Sequence, residues 1–165
     1  MRGAQAGSAS DLEALFKLHW PKAFCAAYLV CHDAAAAEDI AQESFLAAVR
    51  ALDRFDRRRP FGPWLHRIVV NRAIDWGRAR AARSEVELHE TAAAPDVATV
   101  GNSRTLASAL ASLSPEHRAV IVLRHLLEYT PGEIAELLEL PRGTVNSRLR
   151  GGLDELGERV REEVR

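Results

Sequence analysis

The chain has 165 residues, 47% of them apolar, and 22 lysines and arginines stand against 23 aspartates and glutamates. That length fits one domain or two small ones with packed cores, and the near-zero formal charge excludes a polycation that coats nucleic acid with its whole surface. The most apolar stretch, Ala23 to Cys31, is far short of the ~20 residues of a membrane helix, and no secretory leader is recognisable, so no membrane insertion and a cytoplasmic location are expected.

In chain order, residues 1–9 are small and polar and read as a disordered tail. Ser10 with Glu13 forms a capping box that opens a helix through Leu12, Leu15, Phe16 and Leu18. Pro21 is expected to kink that helix or to sit in the first turn of a continuation carrying Phe24, Ala27, Tyr28 and Cys31. Cys25 and Cys31 do not face each other on such a helix, so packed free thiols are expected rather than a disulfide. Asp33 is placed to cap a helix from Ala34 to about Leu52, its core face formed by Ala41, Phe45, Ala48, Val49 and Leu52. Asp39, Gln42 and Glu43 lie on another face, which suits either solvent or a basic partner.

Residues 53–63, DRFDRRRPFGP, hold two prolines, a glycine and no helical period, and read as a loop. Trp64 starts a further helix to about Ala82, with Leu65, Ile68, Val69 and Trp76 inward and Arg67, Asn71, Arg72, Asp75 and Arg78 on or near the opposite side. Between Arg50 and Arg83 ten arginines meet only Asp53, Asp56 and Asp75, whereas residues 84–104 carry Glu85, Glu87, Glu90 and Asp96 against Arg104 alone. A basic block followed by an acidic spacer marks a polyanion-binding face beside a linker. Arginines neutralise phosphates and aromatic rings stack on unpaired bases, so the loop and helix suit single-stranded nucleic acid. Trp64, and with it Phe61, reads as an anchor of the loop to the core; Phe55 is open between the two roles.

The second domain begins near Arg104, with a short helix marked by Leu106, Leu110 and Leu113. Ser114 and Pro115 open another, whose core stripe is Ala119, Val120, Leu123, Leu126 and Leu127. Thr130 then caps a helix with Pro131 in its first turn and Glu133 completing a capping box, and Ile134, Ala135 and Leu138 form its apolar face. Leu140-Pro141 breaks the chain, because the residue before a proline is pushed out of the helical region. In the helix that follows, Val145 and Leu149 turn inward and Arg142, Thr144, Ser147, Arg148 and Arg150 outward. This is the pattern of a helix-turn-helix whose second helix enters a DNA major groove, where arginine can bond guanine or clamp phosphate. An ordinary helical hairpin with a basic face has the same period.

No stretch alternates with period two. The fold expected is all-α: two small helical domains, 10–83 and 104–165, joined by a flexible linker, 84–103, the second ending in a helix-turn-helix. The six histidines are scattered without metal-ligand spacing, and there is no glycine-rich phosphate loop. No catalytic residue, metal or cofactor is expected, and the chain is not read as an enzyme.

Three segments, DAAAAEDIAQESFLAAVRAL, PFGPWLHRIVVNRAIDWGRARAAR and LSPEHRAVIVLRHLLEYTPGEIAELLELPRGTVNSRLR, resemble in content and order the extracytoplasmic-function (ECF, group 4) sigma factors of bacterial RNA polymerase. The resemblance runs from Asp11 to Leu156. It implies a two-domain initiation factor that binds core RNA polymerase and directs promoter recognition and melting. Asp39, Gln42 and Glu43 then match the face for the β′ clamp helices. Arg54, Phe55, Arg57, Arg58 and Phe61 match the loop that captures a flipped base of the −10 element, and Arg67, Asn71, Arg72 and Arg78 match the helix that holds that element. Arg142, Thr144, Ser147, Arg148 and Arg150 match the −35 recognition helix. The β flap and an anti-sigma factor are further implied partners. Where the family continues a helix rich in Arg and Ala, this chain has Gly151, Gly152 and Gly157, so the last helix is expected to be frayed, bent or partner-dependent.

Two other classes fit fewer residues. A stand-alone helix-turn-helix regulator leaves the basic loop and the Asp39 face without work. A recombinase needs a nucleophile before the linker, and Tyr28 and Ser44 sit in apolar helices.

Overall fold

The computed structural model describes residues 1–86 and 108–163. Among these the chain is all helix, without a strand: α1 (Arg2–Gln5), α2 (Ala9–Cys31), α3 (Ala34–Arg50), a 3-10 turn (Leu52–Arg54), α4 (Phe61–Val86), α5 (108–112), α6 (Pro115–Ile121), a π turn (Val122–Leu126), α7 (Pro131–Leu138) and α8 (Arg142–Glu163).

The amino-terminal segment departs from the tail expected of it. Residues Arg2–Gln5 form α1, Ala4 is buried, and the Gln5 amide donates to the carbonyls of Leu52 (2.8 Å) and Phe55 (3.0 Å). The cap of α2 is Ser8 rather than Ser10, its hydroxyl accepting from the Asp11 amide. Pro21 lies inside a continuous α2. Its ring releases the Lys17 carbonyl, and both residues are exposed, so water can take the bond that the helix loses. Along α2, Phe16, Trp20, Phe24 and Tyr28 stack at a spacing of four, and Phe45 of α3 closes on Phe16 with ring centres 5.0 Å apart. Cys25 and Cys31 are free thiols, half-buried and buried.

Asp33 caps α3 as its sequence position indicates, its carboxylate accepting from the Ala36 amide at 2.9 Å. The core face of α3 is Ala37, Ile40, Ala41, Ser44, Phe45 and Ala48. Val49, expected inward, is 42% exposed. The last helix of this domain starts at Phe61, three residues before Trp64, and ends beyond Ala82. It buries Leu65, His66, Val69, Val70, Ala73 and Ile74, leaving Ile68 and Trp76 half-buried. Residues 84–86 of the expected linker therefore belong to α4; the rest of the linker, together with Arg104 and Leu106, lies outside the described residues.

In the second domain, Ser114 caps α6 through the His117 amide, and Pro115 occupies its first turn. Leu123 is fully buried, but Leu126 is 37% exposed, because the π turn adds a residue to the ring and rotates the end of the stripe outward. The Thr130–Glu133 capping box is present in both directions, and α7 ends at Glu139 in the left-handed region with φ 55°. Ile134 and Leu137 from α7 pack with Val145 and Leu149 from α8.

The fraying expected after Arg150 does not occur: α8 is one helix to Glu163. Gly152 has a packing reason for being there. A β-carbon on Gly152 would stand 2.9 Å from Ile121 Cδ1 and 3.3 Å from His117 Cβ, so the missing side chain lets α6 lie against α8. Close packing recovers what glycine loses in helix propensity.

The two domains pack on one another, α6 and α7 lying against α4 and α2. At one point the approach is close: a β-carbon on Gly77, in the interior of α4, would meet Pro115 Cγ at 2.8 Å.

Candidate nucleic-acid interface

Asp39, Gln42 and Glu43 form one exposed strip on α3, as spacing by three and four requires. The Gln42 amide donates to Glu38 (3.3 Å), and Glu43 accepts from Arg72 Nη1 (2.9 Å). Leu46, 54% exposed, and Val49 extend the strip by two turns. The sequence reading missed this apolar extension; Leu46, four residues beyond Gln42, was its only signal.

The loop before α4 is held from within. Phe55 and Phe61 are both buried, with ring centres 5.9 Å apart in an edge-to-face pair, and Trp64 lies 4.6 Å from Phe55 and 5.7 Å from Phe61. Phe55 is thus a core residue, and of the three rings only Trp64 is half-exposed. Phe55 and Trp64 line a cleft of about 750 Å³ whose rim carries Arg54, Arg59 and Arg67. Arg59 was not singled out in the sequence. Arg54, Arg57 and Arg58 are exposed, and Arg58 is tied to Asp56 by side-chain bonds of 3.0–3.2 Å, which hold the Asp56 carboxyl below its ordinary value.

On α4, residues advance by about 100° each, so Arg67, Asn71 and Arg78 share one stripe while Arg72 points elsewhere. The contacts agree. Arg72 pairs with Glu43 on α3, whereas Arg67 pairs with Glu139 and Arg78 with Glu116, both from the second domain. The four residues expected to work together are therefore divided, with Arg72 beside the α3 strip. Burial alone would raise the Glu116 carboxyl; the bond from Arg78 and the charges of Arg78 and Arg148 bring it below its ordinary value.

The far wall of the cleft is Tyr129, Glu133, Glu136 and Leu137. Tyr129 Oη lies 2.8 Å from His66 Nδ1. His66 is 6% exposed; burial, then the charges of His19 and Lys22, push its pKa down to about 4. Burial and Glu133 push Tyr129 up to about 12. The imidazole is therefore neutral near pH 7 and can accept from the phenol.

In α8, Val145 and Leu149 face inward, and Arg142, Ser147 and Arg150 are exposed. Thr144 and Arg148 are half-buried, Arg148 turning toward Glu116. Beside them an apolar groove of about 370 Å³ is lined by Leu29, Leu110, Leu126, Leu153 and Leu156. Neither early nucleophile candidate is available: Ser44 is fully buried with its hydroxyl donating to the Ile40 carbonyl (2.6 Å), and Tyr28 is buried. Among the described residues there is no cluster suited to a metal ion and no helix long and apolar enough to cross a membrane.

Residues 15–83 match the family model for Sigma-70 region 2, and residues 103–156 match that for Sigma-70, region 4. An ECF RNA polymerase sigma factor, SigL of Mycobacterium tuberculosis, is 34% identical over 154 residues, covering 89% of this chain and 87% of that protein. The chain belongs to the ECF sigma factors. Sigma factors are transcription initiation factors, and DNA binding belongs to the family. Two solved structures are similar. CnrH, in complex with the cytosolic domain of CnrY, gives a TM-score of 0.70 at 30% identity, covering 95% of this chain and 92% of that one. RpoE of Bartonella quintana, in complex with the anti-sigma factor NepR, gives 0.76 at 21%, covering 93% and 98%, and shares the fold. In this sigma factor the loop and α4 stripe lie within region 2, and the helix-turn-helix within region 4.

Proposed function

We propose that this sigma factor joins core RNA polymerase, brings it to promoters in the cytoplasm and favours strand opening there, the polymerase performing all the chemistry. The functional modules are 10–83 and 104–165, with 84–103 between them, and the ECF subgroup is group 4. Region 4 places Arg142, Thr144, Ser147, Arg148 and Arg150 on the −35 duplex, Ser147 facing most directly away from Val145 and Leu149. Region 2 places Arg54, Arg57, Arg58, Arg67, Asn71 and Arg78 along the separated −10 strand. Phe55 and Phe61 support Trp64 from beneath, and Arg72 sets Glu43 for the polymerase instead of touching DNA.

Asp39, Gln42 and Glu43 dock on the β′ clamp helices, and the exposed Leu46 adds an apolar contact to the same strip. The β flap is assigned to region 4, where the Leu126–Leu153 groove offers exposed apolar surface. An anti-sigma factor is a further partner, a reading supported by the similar solved structure of the sigma factor RpoE, which is in complex with the anti-sigma factor NepR. Melting follows from differential binding: a surface that holds the open strand better than the duplex shifts the equilibrium toward opening.

The observation that carries this reading is the α4 arginine stripe beside an aromatic-floored, arginine-rimmed cleft, on a domain that also presents the α3 strip. Run-off transcription with purified core polymerase on genomic fragments tests it. Transcripts that start only when the chain is added are expected; none on any fragment would end the proposal. Asp39→Lys should lose core binding in a pull-down while melting at the wild-type temperature, whereas a stand-alone regulator would footprint duplex promoter without polymerase.

A further inference from the structure

The short helix α1 lies ahead of region 2, which begins at residue 15, yet it is tied to the loop assigned above to the −10 strand. The tie is one side chain. Gln5 Nε2 donates to the Leu52 carbonyl at 2.8 Å and to the Phe55 carbonyl at 3.0 Å. A single nitrogen thus commits both its protons to the 3-10 turn that leads out of α3 and to the residue that follows it.

The carbonyls need such a partner. Those at the end of a helix have none within it, and a buried carbonyl left unpaired is costly. Leu52 is buried like Phe55, which leaves water a poor substitute at either. The Leu52 carbonyl also takes the Phe55 amide at 3.2 Å, but no backbone amide among the described residues donates to the Phe55 carbonyl.

Gln5 is itself held from behind. Its neighbour Ala4 belongs to the apolar core. Gly7, at φ 84°, then turns the chain back toward α2: its amide bonds the Ala4 carbonyl (3.1 Å), and the Ser8 amide bonds that of Gly3 (2.8 Å). A left-handed residue closing a helix favours glycine, so the turn is written into the sequence. The Gln5 side chain therefore reaches out from a fixed base.

What it fixes is the backbone beneath the cleft. Arg54, on the rim, lies between the two bonded residues, and Phe55 carries the ring that meets Trp64 at 4.6 Å. Phe55 is also where the chain passes from the 3-10 turn to an extended conformation, with φ −70° and ψ 125°. A peptide free to rotate there would move the Phe55 ring, and with it the support of the half-exposed Trp64.

We propose that Gln5 is a positioning residue for strand capture: acting through Phe55, it holds the Arg54 and Trp64 side of the cleft in the geometry that receives the separated −10 strand. This rests on the assignment of that cleft to single-stranded DNA. The role requires an amide donor. Glutamate has the same shape but only acceptors when ionised, and would set a negative charge against two carbonyls; methionine has similar length and no donor.

The test uses the full chain and its holoenzyme with core polymerase, as wild type, Gln5→Glu and Gln5→Met. Hydrogen exchange is expected to quicken across residues 52–60 of both variants while α7 and α8 keep their wild-type protection. A promoter found by run-off transcription is then made in two forms, a duplex ending before the −10 element and a fork junction with the −10 strand single. Both variants are expected to bind the fork at least about fivefold more weakly than wild type, the scale of one lost hydrogen bond, and the duplex equally well. A role in stability alone would weaken both templates together or neither. Either result overturns the proposal, as does loop exchange that stays at the wild-type rate. Should Gln5→Glu unfold, Gln5→Met decides it on the same templates. Quickened loop exchange, with a wild-type holoenzyme that transcribes no fragment, would leave the anchoring standing and remove the promoter reading instead.

Discussion

Truncating Phe55 to alanine separates a core residue from a base-stacking one. The ring is 8% exposed, and its backbone carbonyl accepts the Gln5 amide at 3.0 Å. Removing a buried phenylalanine costs ~3–5 kcal/mol, and the Trp64 and Phe61 ring pairs contribute ~0.5–1.5 kcal/mol beyond area. The site lies at the edge of the domain, where the loop can partly collapse, which places the expected loss near ~3 kcal/mol. With a urea dependence of ~1.5–3 kcal/mol per molar, the unfolding midpoint of the full chain falls by about 1–2 M. Trp64 fluorescence reports on the same rings. Phe55→Leu keeps most of the volume and should cost under ~1.5 kcal/mol. A surface ring kept for stacking would behave oppositely, losing function while the midpoint moved by less than ~0.5 kcal/mol equivalent. That second result would refute the placement of Phe55 in the core.

Three further outcomes follow from particular contacts. Thr130→Ala removes half of the capping box and should cost ~1 kcal/mol by denaturant melt, with Thr130→Ser close to wild type; an unchanged alanine variant would mean that the cap is idle. In α8, Gly157→Ala should stabilise by up to ~1 kcal/mol because open space surrounds it, whereas Gly152→Ala should not, since its β-carbon meets Ile121; equal gains at both would contradict the packing of α6 on α8. His66 has a folded pKa of about 4 against an ordinary 6.5, so the folded state binds fewer protons than the unfolded one. The stability tied to neutral His66 is fully present above pH 6.5 and is lost as pH falls toward 4, by at most ~3.5 kcal/mol at ~1.4 kcal/mol per unit. Urea midpoints measured against pH should converge between wild type and His66→Gln as the pH drops; parallel curves would exclude the assignment.

The helices were legible where local chemistry decides them. Asp33, Ser114 and Thr130 cap α3, α6 and α7 through their own side chains, and each cap is a matter of three or four neighbouring residues. The helix-turn-helix was legible for the same reason, with Val145 and Leu149 inward. What the sequence hid depends on residues far apart in the chain. Gln5 is ordered by carbonyls 47 and 50 residues away, so a short polar segment read as a tail. Gly152 looked like a cause of fraying or bending because the side chains it admits, Ile121 and His117, belong to another helix. Arg67, Arg72 and Arg78 shared one expected role, but their partners Glu139, Glu43 and Glu116 come from three different elements. Gly77 was the one local sign of domain contact, a lone glycine inside a strong helix.

The division into two domains does not divide the core. Leu65 and Val69 of the first domain and Leu123, Ile134 and Val145 of the second are buried in one continuous apolar cluster. Leu29 adds a further apolar contact with Leu110 and Ile121. Each fully buried aliphatic side chain stabilises the fold by ~1.5–3 kcal/mol. The ionic links across the junction, Arg67–Glu139 and Arg78–Glu116, are exposed or half-exposed, each worth under ~1 kcal/mol and weakened further by salt. Apolar burial, not ion pairing, therefore carries most of the contact between the domains.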